Sequence, residues 1–423
     1  MLFVWFCPTL ISTLALGIIH LLSHNSSLSS NNRSLWGIAW VSLCWSTASV
    51  MVFTLLPTFL CDVLGASKTA LGLIEGIAVF SAFVAKVGSG ILSDYWKSRK
   101  SLILWGTFFS ILVKILFAVA NSVMWVFIAR SVDRLSKGIR SAPTDALIAD
   151  LSPHNQQGRS YGLRYTLYAM GTVFGGCIAA LGMKLSNDNY RLVFWLSTIP
   201  TMIAFFVLWM VVKAPALSFS GRATKKWEWR QAYSLPTVFW QLLGVSFLLM
   251  LARFSEAFLT LRAKDLGWSL ASLPLLMVGY DLVNAGVALP VGKLADKYDR
   301  KKLLLFGILV LAVVNVFILN SYNPWGIAFA MLLAGLHMGM TQGLIATLVA
   351  ENTLPNLRGT AFALYYLTSG VAVLIGNYIA GLLVDHCGST AGAFKSGFVF
   401  SSLSAGYLLW IIKKDKDRLL KTT

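Results

Sequence analysis

"GILSDYWKSRKSLILWG", residues 90–106, sets Asp94 and a basic cluster of Lys97, Arg99 and Lys100 between two apolar runs. The same design returns, one residue shorter, as "GKLADKYDRKKLLLFG" at residues 292–307. A second match lies downstream of each copy. "ALIADLSPHNQQGRSYGL" (146–163) aligns with "TLVAENTLPNLRGTAFAL" (347–364) at a fixed offset of 201, placing Asp150 on Glu351 and Gly158 on Gly359. Two matches in the same order mean that one structural unit occurs twice, with both copies running in the same direction.

The material around these loops is oily. The 423 residues are 57% hydrophobic and 12% charged, with a mean hydropathy of +0.71, a balance that excludes a soluble globular domain. A bilayer core takes about 20 apolar residues of helix. Windows of that size recur at 36–61, 70–92, 101–120, 122–146, 160–183, 190–212, 236–260, 270–292, 302–320, 324–350, 359–384 and 392–412.

The polar breaks alternate in charge. One set (Lys97, Arg99, Lys100; Arg159; Lys213, Arg222, Lys225, Lys226, Arg230; Lys293, Lys297, Arg300, Lys301, Lys302; Arg358; Lys413, Lys414, Lys416, Arg418, Lys421) holds 20 basic residues. The other holds five: Lys68, Lys184, Arg191, Arg262 and Lys264. That asymmetry puts the first set on the cytoplasmic side. The net charge of +18 is thereby read as topology, and no nucleic-acid partner is expected.

The longest break, 213–236, divides the spans six and six. The sequence therefore predicts an all-α integral membrane protein whose 12 core helices form two six-helix bundles in a pseudo-twofold parallel repeat. The bundles are placed at 35–213 and 236–412, with a cytoplasmic linker at 214–235 and a basic tail at 413–423. "MLFVWFCPTLISTLALGIIHLL" at the start, with the polar spacer behind it to residue 34, fits neither copy. An additional helix is favoured for it, with an unusual signal segment and a misassigned start codon left open. The five cysteines form no CxxC and no His stands at ligand spacing, so no metal site or cofactor is indicated.

The two loop copies resemble the signature G-x-L-[AS]-D-[RK]-x-G-[RK]-[RK] that transporters of the major facilitator superfamily carry between spans 2 and 3, and again between spans 8 and 9. "RLSKGIRSA" (134–142) resembles the span 4 signature of that superfamily's proton-linked branches. The resemblance covers residues 36–412. It implies a multi-pass protein of a bacterial inner membrane, working as a monomer on a small-molecule substrate among membrane lipids. It also implies a gating role for Gly90, Asp94, Arg99, Gly292, Asp296 and Arg300. Departures are Tyr95 at a basic position, and Lys97 and Asp299 at glycine positions. In "GTVFGG" (171–176) Gly176 stands where a drug-antiporter signature has Pro.

Span 4 carries Arg130, Arg134, Lys137 and Arg140 at spacings of 4, 3 and 3, close to one helical face. A cation facing lipid costs at least about 2.5 to 3.5 kcal/mol, so the stripe faces either a watery cavity or protein partners. The first reading makes Arg130, Arg134 and Lys137, with Arg164, Arg253 and Asn284, candidates for holding substrate. The second makes the stripe a salt-bridge network stapling span 4 to its neighbours. Asp133, Glu75, Glu256 and Asp281 are candidates for proton coupling. Arg253 and Glu256 are also spaced to pair on their own helix, and Asp281 to serve as a hydrogen-bonded packing group. His337 reads as a packed residue, and Gly171, Gly175 and Gly376 as points of close helix contact.

Of the intramembrane cations, Lys86, Lys114, Arg130, Arg134, Lys137, Arg140 and Arg164 lie in the first half and Arg253 in the second. The imbalance favours a solute with an anionic group, moved by proton-coupled secondary transport. Efflux of hydrophobic cations and a non-transporting receptor are the alternatives. The absence of a Walker motif, a nucleophile elbow and HExxH argues against an enzyme.

Overall fold

The computed structural model describes residues 30–95, 99–152, 157–213, 234–295, 297–353 and 358–422. The first 29 residues, on which the additional-helix reading falls, lie outside the described residues, as do 214–233 of the linker and Asp296.

Among the described residues every regular element is helical. α1 runs in two pieces: Ser30–Phe53, then Leu56–Thr58 continuing into a π-helical turn, Phe59–Val63. α2 is Lys68–Tyr95, α3 Arg99–Val119, α4 Val123–Leu151 and α5 Gln157–Leu185. α6 comprises Tyr190–Leu196 and Thr198–Met210. In the second half α7 is divided into Thr237–Ala252 and Ala257–Asp265. α8 is Leu273–Ala295, α9 Arg300–Leu319, α10 Pro324–Glu351, α11 Arg358–Cys387 and α12 Gly392–Thr422.

The chain marks several helix starts itself. Ser122 and Asn189 accept bonds from the amides of Trp125 and Leu192, capping α4 and α6. Asn323 followed by Pro324 opens α10 in the same manner. Among the described residues eleven segments are long and apolar enough to cross a membrane; α4 is excluded by its own charges. At 29 residues it is about 43 Å long, ample for a crossing. Its charges therefore have to be screened from lipid by neighbours, and α2 and α3 flank it.

The pairings repeat. α1 packs on α5, α2 on α4 and α3 on α4; α7 packs on α11, α8 on α10 and α9 on α10. A glycine sets the approach in each copy. A Cβ at Gly175 would stand 2.5 Å from the Thr47 carbonyl oxygen, and one at Gly376, 201 positions later, 2.5 Å from that of Leu251. Larger residues there would push α5 off α1 and α11 off α7.

The sequence predicts continuous spans 1 and 7, and the structure breaks both. The interruptions fall at Thr54–Leu55 and at Arg253–Glu256, again about one repeat apart. Pro57 removes a backbone donor near the first break. At the second, the Ser255 amide donates to Asn377 Oδ1 at 2.7 Å, so an α11 side chain satisfies backbone that the helix leaves open.

The halves meet through α2 with α11 and α5 with α8, and the meeting is tight on the outer side. Asp385 at the end of α11 accepts bonds from the Lys68 and Thr69 amides, at 3.1 and 2.8 Å, and from Thr69 Oγ1. It thus caps a helix of the other half. Lys264 and Asp62 form an ion pair beside it, while Ala257 and Leu261 join the first half's outer core of Phe59, Phe117 and Phe194. On the cytoplasmic side the ion pairs Arg99–Asp150, Arg300–Glu351 and Lys301–Asp415 stay within single halves. The molecule is closed outside and held there by contacts that opening must break.

Replacing Asp385 by Asn together with Lys264 by Ala should raise the outward-open population. Spin labels at Asp188 and Tyr322, on outer loops of opposite halves, should report longer distances; an unchanged distribution would show that these contacts do not hold the closure.

Candidate functional site

A cavity of about 690 Å³ lies between the halves, within the range of small-molecule sites. Seven charged side chains line it: Glu75, Arg130, Arg134, Lys137, Arg253, Glu256 and Asp281. Both helix breaks open onto it, through Phe53 and Thr54 on one side and Arg253 to Glu256 on the other.

Within the first half, several of the intramembrane cations have partners, though on the cavity wall only Arg130 has a carboxylate among the described residues. Arg130 donates from Nε and Nη2 to the two Glu75 oxygens, at 2.8 and 2.7 Å, with both side chains buried. Ser255, from the α7 break, donates to the same carboxylate at 3.1 Å, so this pair is also a link between the halves. Lys114 meets Asp133 at 3.2 Å, again buried. The Phe53 ring lies beside three of these cations, 3.9 Å from the Arg130 guanidinium, 4.5 Å from the Lys114 ammonium and 5.3 Å from the Arg134 guanidinium. Its π-face adds attraction where water is excluded.

Arg134 and Lys137 are different. Both line the cavity, and among the described residues neither forms an ion pair. Arg134 Nε is buried with no hydrogen-bond partner. The stripe expected on span 4 is thus divided by depth: Arg130 is stapled, Arg134 and Lys137 face the cavity, and Arg140 bonds Ser110 and stacks 4.5 Å from the Trp45 ring.

In the second half, Arg253 ends the first piece of α7 and donates from Nε to His337 Nε2 at 3.0 Å and from Nη2 to Thr341. His337 Nδ1 lies 2.6 Å from the Gly307 carbonyl oxygen. With Nε2 accepting from an arginine, the ring proton belongs on Nδ1, donated to that carbonyl. The expected pairing of Arg253 with Glu256 on one helix does not occur, because the helix is broken between them. Among the described residues Glu256 and Asp281 form no ion pair with a basic group.

Three of the anticipated site residues are not in the cavity wall. Arg164 pairs with Asp145 and donates to Ser42 at 3.3 Å, within the first half. Asn284 offers its backbone carbonyl to the close approach of α10 at Gly339. Asp133 is turned to Lys114. The imbalance of seven cations against one also shrinks. Lys114, Arg130 and Arg164 are matched by carboxylates, and the side chain of Lys86 lies outside the described residues.

Of the loop residues, Arg99 binds Asp150 and the Ala146 carbonyl, and Arg300 binds Glu351 and the Ala295 carbonyl. The repeat offset carries one pair onto the other: 201 separates Arg99 from Arg300 as it separates Asp150 from Glu351. Gly90 lies within α2 and Gly292 near the end of α8. The side chain of Asp94, and Asp296 altogether, lie outside the described residues.

Sequence reasoning missed Phe53, Ser255, Asn377 and the bonding of His337. Asn377 stands out as a polar residue in an apolar run and was detectable on that ground. Phe53 sits in a chain with 26 phenylalanines and carried no signal.

Glu75→Ala should leave Arg130 buried and unmatched, lowering stability by about 3–5 kcal/mol, seen as a fall in the thermal midpoint of the detergent-solubilised protein. Glu75→Leu with Arg130→Met should recover most of the loss; a double variant as unstable as Glu75→Ala would contradict the pairing.

The family model for the Major Facilitator Superfamily matches residues 38–262 and again 257–422. The uncharacterized MFS-type transporter MJ1317 of Methanocaldococcus jannaschii is 24% identical over 387 residues, covering 90% of this chain and 95% of that protein. Multidrug resistance protein MdtG of Serratia proteamaculans is 25% identical over 410 residues, covering 91% and 95%. The crystal structure of the nucleoside transporter NupG superposes with a TM-score of 0.72 at 13% identity, covering 91% of this chain and 99% of that one. At that identity the likeness speaks for the fold alone.

Proposed function

The chain belongs to the Major Facilitator Superfamily and is a multi-pass membrane transporter, not an enzyme; from that premise we propose secondary active transport of a small organic solute with an anionic group, coupled to protons. The observation that supports this reading is the pair of unmatched cations, Arg134 and Lys137, on the wall of a cavity between two repeated halves. An anionic group there would supply the carboxylate-like partner that neither cation finds among the described residues, at a depth where neither charge faces lipid.

The geometry also suits alternating access. The outer contacts combine the Asp385 cap and the Lys264–Asp62 ion pair with the apolar packing of Ala257 and Leu261, and rotation of one half against the other would separate them. Coupling to protons is assigned to Glu256 and Asp281, which line the cavity without ion-pair partners, and to Glu75, whose carboxylate touches both halves through Arg130 and Ser255. Asp133 is withdrawn from that role by its place beside Lys114.

A second reading, proton-driven efflux of lipophilic cations, draws on the same Glu256 and Asp281, on the aromatic lining and on the likeness to MdtG. A thermal-shift screen of anionic metabolites and cationic drugs, on the parent and on Arg134→Ala, separates the two. Anions should stabilise the parent by mass action and lose about tenfold or more in apparent affinity with the variant. A hit should then accumulate in proteoliposomes and be released by a protonophore. If only lipophilic cations stabilise, and stabilise both proteins equally, the anionic assignment is wrong.

A further inference from the structure

The cavity charges that form no ion pair among the described residues are not of one sign, and apart from Arg253 they are sorted by half. Arg134 and Lys137 stand on α4 of the first half; Glu256 stands at the α7 break and Asp281 on α8, both in the second half. Lys137 is a charged neighbour of Asp281; Arg134 has Glu75 and Asp133 as its stronger acidic neighbours in its own half and Glu256 as the weaker one across the cleft. Neither pairing closes into an ion pair, although each is near enough to be felt. Two positive groups therefore face two negative groups across a cleft of about 690 Å³.

Such an arrangement has consequences for what fits. A solute that is only an anion satisfies Arg134 and Lys137 and is repelled by Glu256 and Asp281. A solute that is only a cation meets the reverse. Opposed charges that do not touch are best satisfied by a molecule carrying both signs, each end replacing lost water with a charge-assisted bond. Arg253, the one cation on the acidic side, is turned toward α10, where it donates from Nε to His337 and from Nη2 to Thr341. Arg134 Nε, buried with no partner, is a donor awaiting an acceptor. The cavity wall also carries the aromatic side chains Phe53, Phe83, Tyr280, Tyr365 and Tyr366, which suits an apolar or flat body.

We infer that the transported solute is amphoteric: its anionic group sits on Arg134 and Lys137 of the first half, its protonated amine at Glu256 and Asp281 of the second, and an apolar body spans between them. This rests on the anionic reading above and adds the second pole. It also makes the solute a bridge between the halves, so that both poles are engaged only when the halves come together around it.

The test uses one scaffold in three charge states on the full-length protein in detergent: phenylalanyl-phenylalanine, its N-acetyl derivative and its C-terminal amide. Thermal shift against concentration gives apparent affinities. The free dipeptide should bind about tenfold or more tighter than either blocked form. Asp281→Asn should erase its advantage over the N-acetyl form, and Arg134→Gln its advantage over the amide. Each variant's unliganded melting transition shows that it is folded, and Glu256→Gln repeats the acidic arm where Asp281→Asn is not.

Equal binding of the dipeptide and the N-acetyl form by the parent would overturn the amphoteric assignment and leave the anionic one standing. Preference for the amide, insensitive to Arg134→Gln, would overturn both. No shift with any of the three forms would overturn the assignment of an aromatic amphoteric solute.

Discussion

Charge in hydrocarbon must be matched or wetted, and that constraint organises this molecule. α4 brings four cations and one acid into the depth of the membrane on a single helix. Hydrocarbon would not accept them, so the helices around α4 are chosen by what they bring. α2 supplies Glu75 to Arg130, α3 supplies Lys114 to Asp133 and Ser110 to Arg140, and α1 supplies the Phe53 and Trp45 rings. What remains unmatched, Arg134 and Lys137, faces the space between the halves. The cavity is where the first half's pairing stops.

The same constraint accounts for the broken helices. Backbone freed from a helix at mid-depth needs partners, and the α7 break finds one beside the cavity, where Asn377 reaches the Ser255 amide. Breaking α7 turns Arg253 toward α10 and leaves Glu256 on the cavity wall, two residues that an unbroken helix would have held together. It also lets Ser255 reach Glu75 in the other half. One local departure thus determines how three charged groups are presented.

Fold and site were legible to different degrees. Hydropathy, loop charge and the two motif copies predict twelve spans in two parallel sets because each is a periodic or compositional signal. The repeat even carries detail, since the alignment of Asp150 with Glu351 anticipates the Arg99 and Arg300 ion pairs. Partner choice was not legible. That Arg130 takes Glu75 while Arg134 takes no carboxylate depends on rotation and depth of separate helices, which spacing along one chain does not encode. The breaks were hidden for a similar reason: "LARFSEAFL" is apolar enough to pass as continuous helix, and its interruption is stabilised by a residue 122 positions away.

Lys137, on the cavity wall, looks into water, and its helical neighbour Leu135, exposed but outside that wall, is assigned to lipid. Cysteines placed singly at these positions in a cysteine-free background, in inside-out vesicles, measure it directly through reaction with a charged methanethiosulfonate. Modification at position 137, protected when outer contacts are loosened, with none at 135, is the predicted result. An inert cysteine at 137 would contradict the account.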